Sequence, residues 1–331
     1  MNDSSKKKQI LIKMKRIQWI VPILLITAYL SFYIPIPYFI AAPGIAVKLK
    51  PIITVDRGYK EKGDFMLTTI SMGQGNLGYY LYSHFLPNIE YIPNGSVLNK
   101  DEDPEQYEKR QLLVMKQSQD DAIIAAFRQT KTSIEIKQKG ILVAGVIKGM
   151  SAEKILKVGD VITQVDHQSI QRLEDFFAVI DKKKVGDSIS IDFLREGKNI
   201  EQKIHLVSLN SEGETKQRVG LGFYPNEERE VIPSKKVTFH TEDIGGPSAG
   251  FMFTIEIMNQ LLPFDLTRGY QIAGTGTINP DGQIGQIGGA NLKAHAASKA
   301  GAEIFLFQKI LIQMIRTKKR LKVKIENWIN L

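Results

Sequence analysis

The stretch Asp243–Phe253 reads DIGGPSAGFMF and places one serine, Ser248, between a proline and an alanine, behind a glycine pair and ahead of an apolar run. Pro247 is preset for the first turn of a helix, and the small neighbours let another backbone approach closely. Ser248 is therefore predicted at the start of a helix over residues 249–262, where unpaired N–H groups favour an oxygen that becomes negative. A serine that only caps the helix is the alternative from these residues alone.

Length and composition describe a chain with folded domains. The 331 residues are 43% hydrophobic, enough for two or three domains with cores of their own. The net charge of +9 is concentrated in Met1–Arg16 and Leu306–Leu331, so the remainder is close to neutral and no nucleic-acid partner is expected. The absence of cysteine excludes disulfides, thiolate metal sites and a cysteine nucleophile. No other grouping of residues has metal-ligand spacing, so no metal site is predicted.

The N-terminus predicts a membrane anchor. Six Lys and Arg residues precede an uncharged stretch over 17–47, whose most apolar part reads IQWIVPILLITAYLSFYI. This run is about long enough to cross a bilayer once. We predict a cytoplasmic segment over 1–16, a transmembrane helix over 17–40, and C-terminal domains on the extracellular side of the cell membrane. A cleaved signal peptide, with FIAAPG as the cleavage region, is the alternative.

The pattern of apolar residues and turn signals divides the rest of the chain into further segments and predicts an α+β protein. Residues 41–130 are expected to be the N-terminal part of the extracellular region and partly helical, and NLGYYLYSHF within them is predicted as strand or interfacial structure. Residues 131–209 alternate short strands with one helix, typical of a compact β-rich module. Residues 210–305 have an α/β pattern that includes strands at VGLGFYP and EIFLF. Residues 306–331 form an atypical basic tail without Gly or Pro.

The β-rich module resembles a PDZ domain. The similarity rests on KGILVAGVI, where a glycine precedes a strand, and on the later turn LKVGDVI. In that family a peptide adds as a strand, so the resemblance assigns peptide binding to Gly140, Ile141, Leu142 and Val143. The predicted ligands include internal peptide segments as well as C-terminal ends, because the loop before the strand is not the commonest sequence for binding a C-terminal carboxylate. A small sandwich without a ligand is the alternative.

A nucleophilic serine needs a base, and Lys293 is the predicted one. In GGANLKAHAASKAGA its helical neighbours are glycine and alanine, so its ammonium loses hydration and its pKa falls. His240, with Glu242 and Asp243 nearby in sequence, is the alternative base. His295 would point away from Lys293 on the same helix.

The motifs around both residues are similar to the proteolytic domain of Lon-type serine proteases. The similarity comprises GPSAG at 246–250, AGTGTI at 273–278, DGQIGQIGG at 281–289 and the spacing to Lys293. It implies that Ser248 is the nucleophile, that Lys293 is the general base and later the acid, and that Thr275 hydrogen-bonds near the lysine. Backbone N–H groups from Gly246 through Pro247 to Ser248 would line the oxyanion hole. Gly245 stands where ATP-dependent members often have aspartate, and no phosphate-binding loop occurs, so no ATP and no cofactor are expected.

The complete plan resembles the membrane-anchored PDZ-Lon peptidases of Gram-positive bacteria from about residue 17 to residue 305. The resemblance implies ATP-independent cleavage or processing of secreted or surface peptides and unfolded proteins, and it leaves a homo-oligomer open. A membrane-tethered peptide-binding scaffold with an inactive protease domain is the rival hypothesis. It depends on the tail over 306–331, which is either a genuine amphipathic segment or the product of a truncated or frame-shifted reading frame.

Overall fold

The computed structural model describes residues 20–99, 102, 104–209, 218–241 and 244–308. These residues group into two compact units by their contacts. The first unit holds the described residues up to Gly44 together with Ile70–Val97, and the second holds Ile45–Thr69 and the described residues from Leu98 onward. The predicted cytoplasmic segment over 1–16, the carboxylates Glu242 and Asp243, and nearly all of the predicted tail lie outside the described residues.

The first unit contains two helices and an antiparallel strand pair. Residues 20–31 form helix α1. Strand β1 begins in this unit, and its residues Tyr38 to Ala41 pair with Pro93 to Glu90 of the last strand of the unit. The bounds of the elements with residues in this unit are β1 (Pro35–Lys48), β3 (Asp64–Asn76), α2 (Leu77–Ser83) and β4 (Glu90–Pro93).

The predicted transmembrane helix over 17–40 is wrong in its C-terminal part. Helix α1 ends at residue 31, and β1 begins at Pro35. Pro35 and Pro37 carry no N–H group and cannot continue a helix, so the chain turns into an extended strand there. Within the described residues, no helix combines the length and the apolar character that a bilayer crossing requires.

The second unit contains an α/β part around a central helix pair. Helix α3 packs along helix α5, and the buried side chains of Phe127 and Phe253 belong to their common core. Strand β14 pairs in parallel with β3 on one side and with β17 on the other, and β13 pairs with β2. The bounds are β2 (Ile53–Val55), α3 (Pro104–Gln129), β13 (Val237–Phe239), α5 (Gly250–Leu261), β14 (Gln271–Gly274), β15 (Thr277–Ile278), β16 (Ile284–Gly285), α6 (Ala290–Lys299) and β17 (Ile304–Leu306).

A separate β-sheet with its own hydrophobic core lies in the same unit. Its strand order is β12-β5-β6-β8-β9, with β7 paired to β6, and helix α4 buries Phe176, Val179 and Ile180 against this core. The bounds are β5 (Ile134–Val146), β6 (Val161–Val165), β7 (Gln168–Ser169), α4 (Leu173–Ile180), β8 (Ser188–Arg195), β9 (Lys198–His205), β10 (Val207–Ser208), β11 (Val219–Gly220) and β12 (Phe223–Pro233).

Two of the predicted segment boundaries differ from this architecture. The VGLGFYP strand, which was expected in the α/β segment over 210–305, leads into β12 and completes the β-rich sheet by pairing with β5. Residues 41–130 do not stand alone, because β2, β3 and α3 pair or pack with elements from the C-terminal part of the chain. The strand predicted at NLGYYLYSHF is wrong beyond Asn76, which ends β3, because the following residues form helix α2.

Candidate active site

Ser248 lies in a single 3₁₀ turn, Pro247–Ala249, which leads directly into α5. Gly246 precedes the turn with a φ of 87°, a left-handed conformation that favours glycine. The helix behind the serine is fixed by fully buried side chains, among them Met252, Phe253 and Ile257. The short turn and the packed helix hold the half-buried Ser248 hydroxyl in one place.

Lys293 reaches this hydroxyl from the neighbouring helix α6. Its Nζ atom lies 2.7 Å from Ser248 Oγ, within hydrogen-bonding distance. The residue is only 3% exposed, and Leu292, Ala296 and Ala297 of the same helix are buried with it. The structure therefore brings together the two residues that the sequence paired as nucleophile and base.

Burial lowers the pKa of Lys293 to about 8, from the ordinary lysine value of 10.5. The cause is desolvation of the ammonium, which penalises its charged form. In the described part of the chain no salt bridge joins this ammonium to a carboxylate. A substantial fraction of the amine is thus neutral in mildly basic solution and free to accept a proton.

Thr275 orients the amine. Its hydroxyl donates to the Ser248 carbonyl oxygen at 3.0 Å, so the remaining lone pairs of Oγ1 face the amine, which donates to them at 3.0 Å. One N–H of a neutral Lys293 is thereby held by Thr275, and the lone pair of Nζ is left for the Ser248 hydroxyl. Thr275 is itself 1% exposed and fixed by its N–H bond to the Leu306 carbonyl.

Helix α3 supports the nucleophile turn through two contacts that sequence reasoning missed. The Gly246 N–H donates to the Gln111 carbonyl at 3.1 Å, and the buried Ser118 hydroxyl donates to the Pro247 carbonyl at 3.0 Å. Gln111 and Ser118 lie two turns apart on one face of α3. No local sequence signal marks them, because both contacts join residues more than a hundred positions apart.

The expected oxyanion donors need correction. The Gly246 N–H is already bonded to Gln111, and Pro247 has no N–H group. The first N–H groups of a helical segment have no partner within the helix, which leaves those of Ser248 and Ala249 as candidates. Gly246 and Pro247 therefore shape the turn and supply no free N–H group for an oxyanion.

The two histidine alternatives lie on the surface. His240 is exposed directly after β13, and the carboxylates proposed to accompany it lie outside the described residues. His295 is exposed on α6, whereas Lys293 of that helix is buried. The contact that the Ser248 hydroxyl makes is with Lys293.

Ser118 gives a test of the support from α3. We expect Ser118→Ala to lower kcat by about threefold to tenfold with KM little changed, since one hydrogen bond of about 0.5–1.5 kcal/mol no longer fixes the turn. Steady-state kinetics with a quenched-fluorescence peptide measure both constants. Thr130→Ala is the matched control, because the Thr130 hydroxyl, directly after the C-terminal end of α3, also donates to a carbonyl, that of Ala126. An unchanged kcat in Ser118→Ala would contradict the positioning role.

The predicted peptide-binding strand is wrong in its position. Gly140, Ile141, Leu142 and Val143 are buried in β5, which pairs with β12 along one edge and with β6 along the other. Both edges are occupied, so no peptide can add there. β12 stands at one end of the strand order, and its outer edge has no strand partner among the described residues.

Comparison with known proteins confirms the predicted PDZ module. The family model of the PDZ domain matches residues 114–206. The chain therefore contains a PDZ domain, and in this structure its sheet also takes in β12, which lies beyond the matched range.

One curated relative is the serine protease Do-like HtrA of Lactobacillus helveticus, with 33% identity over 70 residues. The aligned part covers 21% of this chain and 17% of that protein, so the chain spans less than a fifth of the relative's length. Similar solved structures are the PDZ domains of the SdrC-like proteins from Listeria monocytogenes and Listeria innocua, at 29% and 34% identity, each with a TM-score of 0.24. They cover 26% of this chain and 87% and 92% of theirs.

Proposed function

We propose that the chain is an ATP-independent serine endopeptidase of the Lon type with a Ser248-Lys293 dyad. The observation that carries the proposal is the 2.7 Å contact between a serine hydroxyl and a desolvated amine. The short similarity to a serine protease supports the broader class of serine proteases, and the GPSAG, AGTGTI and DGQIGQIGG motifs support the Lon type. The substrates are accessible or unfolded segments of secreted or surface peptides and proteins.

The dyad performs acyl transfer in two stages. Neutral Lys293 Nζ takes the Ser248 hydroxyl proton as Oγ bonds to the substrate carbonyl carbon, and the resulting ammonium then gives that proton to the leaving amine. The product is an ester between Ser248 and the N-terminal part of the substrate. A water molecule next loses a proton to Nζ and attacks the ester, and the ammonium returns the proton to Oγ.

Charge on the carbonyl oxygen is stabilised at the beginning of α5. The N–H groups of Ser248 and Ala249 supply the donors, at the positive end of the helix dipole. The Ser248 carbonyl is held from the other side by the Gly276 N–H at 2.9 Å and by Thr275, so the turn cannot rotate away during the reaction.

The PDZ domain supplies peptide binding beside the reaction site. A peptide adds as a strand to the outer edge of β12, next to helix α4, whose Leu173 N–H bonds the Glu227 side chain of that strand at 3.2 Å. At Glu227 this edge already carries side-chain bonds, since the Gln117 amide of α3 donates to its carbonyl and the Asn226 side chain accepts from its N–H, so the peptide must displace them there. Gly222, with a φ of 84°, shapes the loop before β12. The domain thereby positions extended substrates.

Membrane anchoring through the N-terminal helix belongs to the same proposal. Residues 20–30 of α1 are exposed on all sides and carry no charged side chain. A helix that is apolar all round is covered by protein or by lipid. The basic residues that precede it favour a cytoplasmic N-terminus, with the PDZ and peptidase parts on the extracellular side.

Trapping the covalent intermediate tests the proposal. We expect the chain, incubated with an activated ester of a short peptide, to gain the mass of the acyl group on Ser248, as detected by intact mass and peptide mapping. Ser248→Ala should remain unmodified and leave peptide substrates uncut, because it lacks the nucleophile. Uncut but tightly bound peptide with unmodified wild-type chain would instead favour the scaffold hypothesis.

A further inference from the structure

The first unit has a surface with very few charges. Its described residues, 20–44 and 70–97, contain one carboxylate, Glu90, and no lysine or arginine, in a chain with 24% charged residues. A surface in water normally carries many charges of both signs. The composition of this unit therefore points to a surrounding other than water over a large part of it.

Three exposed apolar side chains lie on α2 or directly after it. Leu81 and Tyr82 are exposed on that helix, and Phe85 in the following turn is 86% exposed, the largest exposure among the apolar side chains described. Phe85 follows Leu81 by four residues and Tyr82 by three, the spacings that place side chains on neighbouring positions of one helix face. The opposite side is packed, since Ser83 is buried there and shares a 2.7 Å hydroxyl contact with Tyr91.

Helix α2 lies against the C-terminal end of α1. The Leu77 N–H donates to the Ile34 carbonyl at 2.8 Å, and a Cβ atom on Gly78 would come within 2.6 Å of the Phe32 ring. Tyr29 and Tyr33 add two further exposed aromatic rings at the same end, in edge-to-face contact. Aromatic side chains with a polar tip concentrate where hydrocarbon meets water at a membrane surface.

We propose that α2 is a second membrane contact, in which Leu81, Tyr82 and Phe85 insert into the interfacial layer of the bilayer beside the end of α1. The inference rests on the proposed anchor, because α1 identifies lipid as the occupant of the patch. An apolar face of this kind lies about 5–10 Å into the boundary between headgroups and acyl chains. The unit is thereby held against the membrane at two points.

Tryptophan quenching by brominated lipid tests the contact in the full chain. The two native tryptophans, Trp19 and Trp328, are replaced by phenylalanine, and Phe85→Trp is introduced as the probe. In vesicles of phosphatidylcholine and phosphatidylglycerol brominated near the headgroup end of the acyl chains, we expect about a twofold loss of its emission relative to unbrominated vesicles. Phe177→Trp, an exposed aromatic position on α4 of the PDZ domain, is the matched control and should keep its emission.

The outcomes separate this inference from the anchor. A chain that floats with the vesicles while Trp at position 85 stays unquenched by lipid and is quenched by aqueous acrylamide would overturn the α2 contact alone. Protection from both quenchers would also overturn it and would indicate a second copy of the chain on the patch. Failure to float with the vesicles would overturn both proposals.

Discussion

Replacing Lys293 with methionine should lower peptide cleavage by about 10²- to 10⁴-fold, the range that a general base contributes. Methionine fills a similar volume but has no proton acceptor for Ser248. The wild-type chain should show kcat/KM rising with pH and reaching a plateau above about pH 8, because only neutral Lys293 takes the serine proton. Initial rates with a peptide substrate between pH 6 and 10 measure both effects.

The unfolding temperature of Lys293→Met shows whether activity is lost because the base is missing or because the chain no longer folds. Lys293→Met removes a buried ammonium, so its unfolding temperature at pH 7 should equal or exceed that of the wild type. Lys299→Met, at an exposed position on the same helix, should retain activity and its pH profile. Cleavage by Lys293→Met at near wild-type rate, or a wild-type profile without a rise toward pH 8, would refute the dyad.

Replacing Glu256 with glutamine should stabilise the chain at neutral and basic pH. Glu256 is fully buried on α5, and burial, together with the neighbouring Glu61 carboxylate, raises its pKa to about 8 from the ordinary 4.5. Between these two values the folded chain retains a proton that the unfolded chain has released. The free energy of unfolding therefore falls as pH rises through this window, by at most about 1.4 kcal/mol per pH unit.

Glutamine keeps the shape of Glu256 without this proton linkage. Its side-chain oxygen can still accept from the Gln260 amide, which bonds the Glu256 carboxyl at 2.6 Å in the wild type. Lys50 lies 3.9 Å from Glu61, and Asp265 adds negative charge nearby, so these groups contribute to the remaining pH dependence. Urea unfolding at pH 5, 7 and 8.5 measures the change.

The comparison of pH slopes decides the role of Glu256. The slope should be smaller in Glu256→Gln than in the wild type and unchanged in Glu174→Gln, an exposed position. Equal slopes in wild type and Glu256→Gln would show that Glu256 is ionised in the folded chain.

The sequence predicted those parts of the fold that depend on local patterns. Apolar periodicity and the small residues before it located α5, and the apolar EIFLF stretch located β17. It failed where long-range pairing decides. β12 is separated from β5 by most of the PDZ domain and by a stretch outside the described residues, so nothing local showed that these strands share a sheet. For the same reason, the sequence did not show that the strand with Ile141 and Leu142 is paired along both of its edges.

The site was predictable in its chemistry and less so in its supports. Motif spacing selected Ser248, Lys293 and Thr275. In the structure Lys293 Nζ lies 2.7 Å from Ser248 Oγ and 3.0 Å from Thr275 Oγ1. The Gly246 N–H was wrongly included among the predicted oxyanion donors, because its bond to Gln111 exists only once α3 has packed. A hydrogen bond between two backbone groups, such as this one, cannot be identified from the residue types that make it.

The ends of the PDZ sheet meet. The Ser234 N–H, directly after β12, donates at 3.1 Å to the carbonyl of Ser133, directly before β5. Because the first and last residues of this sheet touch, a deletion between them can be closed with a short linker, at the cost of the contacts that Ile134 and Val231 make with the core around α3 and α5. A deletion that ended at residue 209 would remove β5 and leave β12 unpaired, which exposes a sheet edge that favours aggregation.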